Sequence, residues 1–172
     1  QFDKATHDVA AVARRTAGND RVMVLQGESA TRAAVVKAFD SLRTRTKSAD
    51  SLAVVLIGHG SFDGDTYKFN LPGPDIDGAE LKRLLGAVPA KSQLVVNATS
   101  ASGAVLDALA TDGRAVITAT RSGFERNATR FAELFAAAIA EGRFAGQIVC
   151  RASSSRSASS TMAIITAGSV RG

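Results

Sequence analysis

A histidine between glycines and a cluster of small hydroxyl residues are the two features of this sequence that could carry out chemistry. His59 lies in the segment Gly-His-Gly-Ser over residues 58–61, directly after an apolar run. The hydroxyl cluster occupies residues 97–103, Asn-Ala-Thr-Ser-Ala-Ser-Gly, after a second apolar run. A histidine near a hydroxyl nucleophile and the N–H groups of a helix start is a constellation suited to acyl transfer.

Each feature also has a purely structural interpretation. His59 is alternatively a turn residue, and small hydroxyl residues often cap the first turn of a helix. The hydrolase Gly-x-Ser-x-Gly motif, the phosphate loop and the dinucleotide fingerprint are absent from the sequence. Four aspartates suggest calcium, but their spacing is not that of a calcium loop, and turn and cap roles account for them: Asp63, Asp65, Asp75 and Asp77. With two histidines and one cysteine, Cys150, we expect no metal site, cofactor or internal disulfide.

The elements that must position these loops form an alternating pattern. Apolar runs predict buried strands over residues 21–26, 52–57, 94–97 and 115–119. Apolar residues at helical spacing predict helices over 3–16, 28–44, 104–110 and 127–141, and another from an Asp77 cap to about residue 88. Residues 61–74 predict a turn and a short strand outside the main sheet. Strand–helix alternation predicts a three-layer α/β fold with a mainly parallel sheet and helices on both faces. Both candidate loops then lie at the carboxyl edge, where such sheets bind ligands.

Composition and charge set the remaining expectations. The net charge of the chain is +5, but residues 146–172 contain three arginines and no acidic residue. Part of the positive charge therefore lies in this tail, and the net charge does not predict a nucleic-acid partner. No apolar run approaches the roughly 20 residues of a membrane span. We expect one domain over 1–145 and a low-complexity Ala/Ser/Arg tail over 146–172, interpreted as disordered or out-of-frame sequence. Within it, Ala163-Ile164-Ile165 could pair as an edge strand. The chain begins with Gln1, which suggests an excerpt from a longer protein, and neither its localisation nor its oligomeric state is predicted.

The two loops and their strands resemble the caspase–legumain superfamily of cysteine peptidases. Those proteins carry His-Gly after one core strand and a Cys-x-Ser-Gly nucleophile block after the next. Residues 54–60, Val-Val-Leu-Ile-Gly-His-Gly, resemble the first block, and residues 94–103 resemble the second. The strand at 116–120 and the following Arg-Ser-Gly resemble the next strand and specificity loop of the legumain branch. The resemblance covers about residues 21–141 and implies a caspase-like version of the three-layer fold.

The same resemblance implies roles for individual residues, and one departure from it decides the function. The family's cysteine falls on Ser100 when the blocks are aligned without a gap, or on Thr99 with one. His59 would be the acid/base, the N–H groups of Gly60 and Ser100 the oxyanion hole, and Arg121, Glu125 and Arg126 the substrate-pocket lining, favouring a polar or charged side chain. The missing thiol predicts an inactive peptidase homologue that binds a peptide or protein.

Two other functions stay open from the sequence. The first is an active peptidase or serine hydrolase that uses Ser100 with His59. The second is an unrelated doubly wound binding module in which the proximity of these two residues is a coincidence.

Overall fold

A five-stranded parallel sheet forms the centre of the protein in the computed structural model, which describes residues 2–125, 130–141 and 160–166. The strand order is β1-β8-β2-β6-β7, and a separate antiparallel sheet has the order β3-β4-β5. The strands are β1 Val22–Gln26, β2 Ser51–Gly58, β3 Gly60–Phe62, β4 Tyr67–Phe69, β5 Ile76–Asp77, β6 Ser92–Thr99, β7 Arg114–Thr118 and β8 Ser160–Thr166. The helices are α1 Phe2–Ala17, α2 Arg32–Arg45, α3 Gly78–Ala87, α4 Leu106–Leu109 and α5 Phe131–Ala140.

Two hydrophobic layers hold the helices against the sheet. Alternate residues of β2 point to opposite faces: Leu56 joins the layer shared with α2, α3 and α4, while Ile57 joins the layer shared with α1 and α5. Fully burying one such side chain stabilises the fold by about 1.5–3 kcal/mol. The expectation of a three-layer α/β fold with helices on both faces of a mainly parallel sheet is confirmed.

Helix α3 begins at its predicted cap. The Asp77 carboxylate accepts a hydrogen bond from the Glu80 backbone N–H at 2.7 Å. The Glu80 carboxylate binds the Arg32 guanidinium through two contacts of 2.9 Å, which joins the starts of α2 and α3. Asp77 therefore has the predicted capping role.

Strand β8 departs from the sequence expectation. It lies between β1 and β2, with Ile164 opposite both Val24 and Val55, so the predicted edge position is wrong. Ala163, Ile164 and Ile165 are all buried. Apolar side chains on both faces of a strand require cover on both sides, and an internal position provides it. The expected domain boundary at residue 145 and the rest of the tail lie outside the described residues.

Several predicted boundaries shift in the structure. Residues 27–29 form a 3-10 turn, so α2 begins at Arg32 and not at residue 28. The predicted helix 104–110 is a 3-10 turn over Ser102–Val105 followed by the short α4. The small sheet confirms the strand expected outside the main sheet. Among the described helices, none has the length and apolar character needed to cross a bilayer.

Candidate functional site

The site is formed where β2 and β6 end side by side. These strands pair in parallel, and Gly58 lies opposite Thr99 at the last step of the ladder. His59 and Ser100 are the next residues, so they leave the sheet at the same edge. The expectation that the two loops share one edge of the sheet is confirmed. The two loops do not lie at opposite edges, which is the arrangement that would favour an unrelated binding module.

The turn after β2 packs directly against the end of β6. A Cβ atom on Gly60 would overlap the Ser100 carbonyl oxygen and lie 2.7 Å from Thr99 Oγ1. Only glycine leaves enough room for this approach. The contact brings the His-Gly turn and the residue-100 segment together, although they lie far apart in the chain.

His59 is half-buried at the mouth of the site. Its ring meets Phe2 of α1 edge-on, with ring centroids 5.1 Å apart and an angle of 81° between the planes. Its backbone carbonyl accepts a hydrogen bond from the Asn70 N–H at 3.1 Å. These contacts restrict the backbone and the ring of His59 from two different elements.

Ser100 lies at a sharp turn between β6 and the following 3-10 turn. The serine is 3% exposed. The next residue, Ala101, has a left-handed backbone with φ of 55°, and its N–H donates to the Glu125 carbonyl at 2.9 Å. A non-glycine residue in this region is strained, and such strain is concentrated at functional sites.

Thr99, the alternative nucleophile position, faces a buried hydrogen-bond network. Its hydroxyl lies 2.7 Å from the Tyr67 hydroxyl and 2.8 Å from Asn97 Oδ1. Thr99 and Asn97 are both 0% exposed. Burial raises the pKa of the Tyr67 phenol to about 12, and its hydrogen bonds to Thr99 and Asn97 partly oppose that rise. This arrangement gives Thr99 a structural role, and the assignment of the nucleophile position to Ser100 stays a prediction.

The Ser-Gly pair after residue 100 anchors the loop that follows β7. Ser102 Oγ accepts hydrogen bonds from the N–H groups of Ala119 and Thr120 at 3.0 and 3.2 Å. The Gly103 N–H donates to Thr120 Oγ1 at 2.9 Å. A Cβ on Gly103 would overlap the backbone of Arg121 and Ser122. The loop is therefore fixed beside Ser100.

The three predicted pocket residues have different outcomes. The Glu125 carboxylate accepts from the N–H groups of Arg121 and Ser122 at 2.9 and 3.2 Å, so it stabilises the loop. Arg121 is exposed, and Arg126 lies outside the described residues. Their contact with a substrate stays a prediction.

Sequence reasoning missed the aromatic side chains that flank the site. Phe124 is 70% exposed, and its ring meets Phe62 of β3 edge-on, with centroids 5.4 Å apart. The sequence offered one indication of this surface: Phe124 is a single aromatic residue in a loop of glycine, serine and charged residues.

The other clusters have structural roles in the described part of the chain. Asp63 accepts from the N–H groups of Asp65 and Thr66, and Asp75 accepts from the N–H of Leu71. No group of three or more histidine, cysteine or acidic side chains within the described ranges is arranged to hold a metal ion.

Comparisons with known proteins leave the fold and the local geometry as the basis for function. No family model matches the chain, and neither the curated proteins nor the solved structures contain a match.

Proposed function

We propose that this domain is a caspase/legumain-like peptidase fold that has lost its cysteine nucleophile and binds a peptide or protein segment. One observation carries the proposal: the His59-Gly60 turn packs against Ser100 at the carboxyl edge of the sheet. That edge is where open parallel sheets bind their ligands. The order of the two sequence blocks along the chain supports the same assignment.

The chemistry of residue 100 favours binding over hydrolysis. A cysteine thiol with its ordinary pKa near 8.5 supplies a few per cent of thiolate at neutral pH, whereas a serine hydroxyl needs a close base to remove its proton. Ser100 is also 3% exposed, so a peptide in the cleft first meets the surfaces around it. A ligand would contact His59 and the loop after β7.

Peptide binding by the full chain tests this proposal. Fluorescently labelled peptide pools are titrated with the wild-type protein, His59→Ala and His7→Ala, and polarisation reports binding. His7 is the matched control because it is the other histidine of the chain and its side chain is 80% exposed on α1. We expect at least one pool to bind, with about tenfold weaker binding by His59→Ala and unchanged binding by His7→Ala. Failure of every pool to bind the wild type would overturn the proposal, as would equal binding by the two variants.

A second candidate is an active hydrolase with Ser100 as nucleophile, His59 as acid/base and the Gly60 and Ser100 N–H groups around the oxyanion. The left-handed Ala101 favours it, because a sharp strand-to-helix turn is how many hydrolases present a serine. This candidate predicts hydrolysis of peptide substrates by the wild type and its loss in Ser100→Ala.

A further inference from the structure

We propose that the aromatic pair Phe62 and Phe124, called here the aromatic rim, binds a bulky apolar side chain of the peptide held in the cleft. The inference rests on the proposed function and specifies its ligand class. It replaces the mixed-charge preference expected from sequence with an apolar one.

Each residue of the aromatic rim lies close in the chain to a residue that contacts the Ser100 segment. Phe62 is two residues beyond Gly60, whose backbone touches Ser100. Phe124 precedes Glu125, whose carbonyl accepts from the N–H next to Ser100. The aromatic rim therefore adjoins the turn and the residue-100 segment that form the candidate site.

Phe62 is the fixed half of the aromatic rim. The Phe62 ring lies so close to Gly123 that a Cβ there would overlap it. Phe124 meets the same ring edge-on at an angle of 77°. Phe62 is held between a backbone and a ring, while Phe124 keeps 70% of its surface exposed. The held ring of Phe62 loses little conformational freedom when a ligand binds.

The Glu125 side chain is engaged within the loop. Both N–H contacts to Glu125 use one carboxylate oxygen, and they hold that side chain in the turn. Arg121 is exposed and tied to the turn through its backbone N–H. An aromatic or branched aliphatic side chain gains edge-on and dispersion contacts with the aromatic rim. A carboxylate would lose water there without a hydrogen bond from the rings, and an ammonium group gains only a weak cation–π contact at an exposed ring.

The test uses four peptide pools that differ at one fixed position, which is Phe, Leu, Asp or Lys. The proteins compared, each the whole 172-residue chain, are the wild type, Phe124→Ser, Phe124→Trp and the control Leu134→Ser. Leu134 is 62% exposed on α5, so its replacement removes a similar exposed apolar group elsewhere. The chain has no tryptophan, and Phe124→Trp therefore adds a unique fluorophore to the aromatic rim.

We expect the wild type to bind the Phe and Leu pools about tenfold or more tightly than the Asp and Lys pools. Phe124→Ser should remove that preference, Leu134→Ser should keep it, and tryptophan emission of Phe124→Trp should shift with the Phe pool. Equal binding of all four pools that still depends on His59 would overturn this inference and leave the proposed function standing. If none of the four pools binds, both this inference and the proposed function are overturned.

Discussion

Replacing Gly60 with alanine perturbs the contact on which the site depends. The added Cβ would lie 2.7 Å from Thr99 Oγ1 and 2.9 Å from Tyr67 Cε2, and it would overlap the Ser100 carbonyl oxygen. Non-bonded carbon contacts are normally about 3.5–4.0 Å, so neighbours on three sides must move by about half an ångström or more. One neighbour is backbone, and the Thr99 and Tyr67 hydroxyls are hydrogen-bonded to each other.

Overpacking of this kind costs about 1–3 kcal/mol in a tightly packed interior. For a chain of this size, 1 kcal/mol shifts the melting temperature by about 2–4 °C. We therefore expect Gly60→Ala to lower the melting temperature by about 2–12 °C, measured by circular dichroism.

The matched control is Gly86→Ala in helix α3. A Cβ at Gly86 meets no atom within 4 Å, and alanine is favoured over glycine in a helix by about 0.8–1.0 kcal/mol. The control should melt about 2–4 °C above the wild type. An unchanged or raised melting temperature for Gly60→Ala would refute the packing of the His-Gly turn against the end of β6.

Three further predictions concern the network and the loop around the site. The single tyrosine, Tyr67, should ionise near the pKa of about 12, measured by ultraviolet titration; a midpoint near 10.0 would contradict its burial. The pKa of Tyr67 is higher in the folded protein than the ordinary value of 10.0, so its contribution to the free energy of unfolding is complete below pH 10.0. About 2–3 kcal/mol of that free energy is lost as the pH rises to about 12, which urea unfolding measures. Glu125→Ala should cost about 1 kcal/mol in urea unfolding because two N–H groups lose their acceptor, whereas a neutral result would contradict its role in the turn. In a Cys150→Ser background, iodoacetamide should modify Ser100→Cys faster than Thr99→Cys; the opposite order would move the nucleophile position to residue 99.

The local sequence predicts the strands well because their apolar composition is a local signal of burial. Apolar runs such as residues 52–57 specify burial on both faces, and two successive strand-end loops in a parallel sheet must share one edge. That rule alone predicts that His59 and Ser100 lie at the same edge of the sheet.

The partners of a strand are not local information, and this explains the error for β8. Ala163-Ile164-Ile165 indicates a strand, but its position between β1 and β2 depends on the whole sheet. Similarly, the composition of the loop after β7 does not distinguish a carboxylate that caps a turn from one that meets a ligand. The pocket role that the family resemblance implies for Glu125 stays a prediction, and the sequence gives no indication that the ring of Phe124 is exposed beside the site.

Reaction of the wild-type protein with a serine-directed phosphonate tests most directly whether the cleft binds without catalysis. Intact-mass spectrometry, followed by peptide mapping, measures the adduct at Ser100, and the His59→Ala protein serves as the comparison. We predict that Ser100 stays unmodified under conditions in which the peptide pools bind. A stoichiometric adduct at Ser100 that disappears in His59→Ala would contradict the loss of catalysis and identify the domain as a working serine hydrolase.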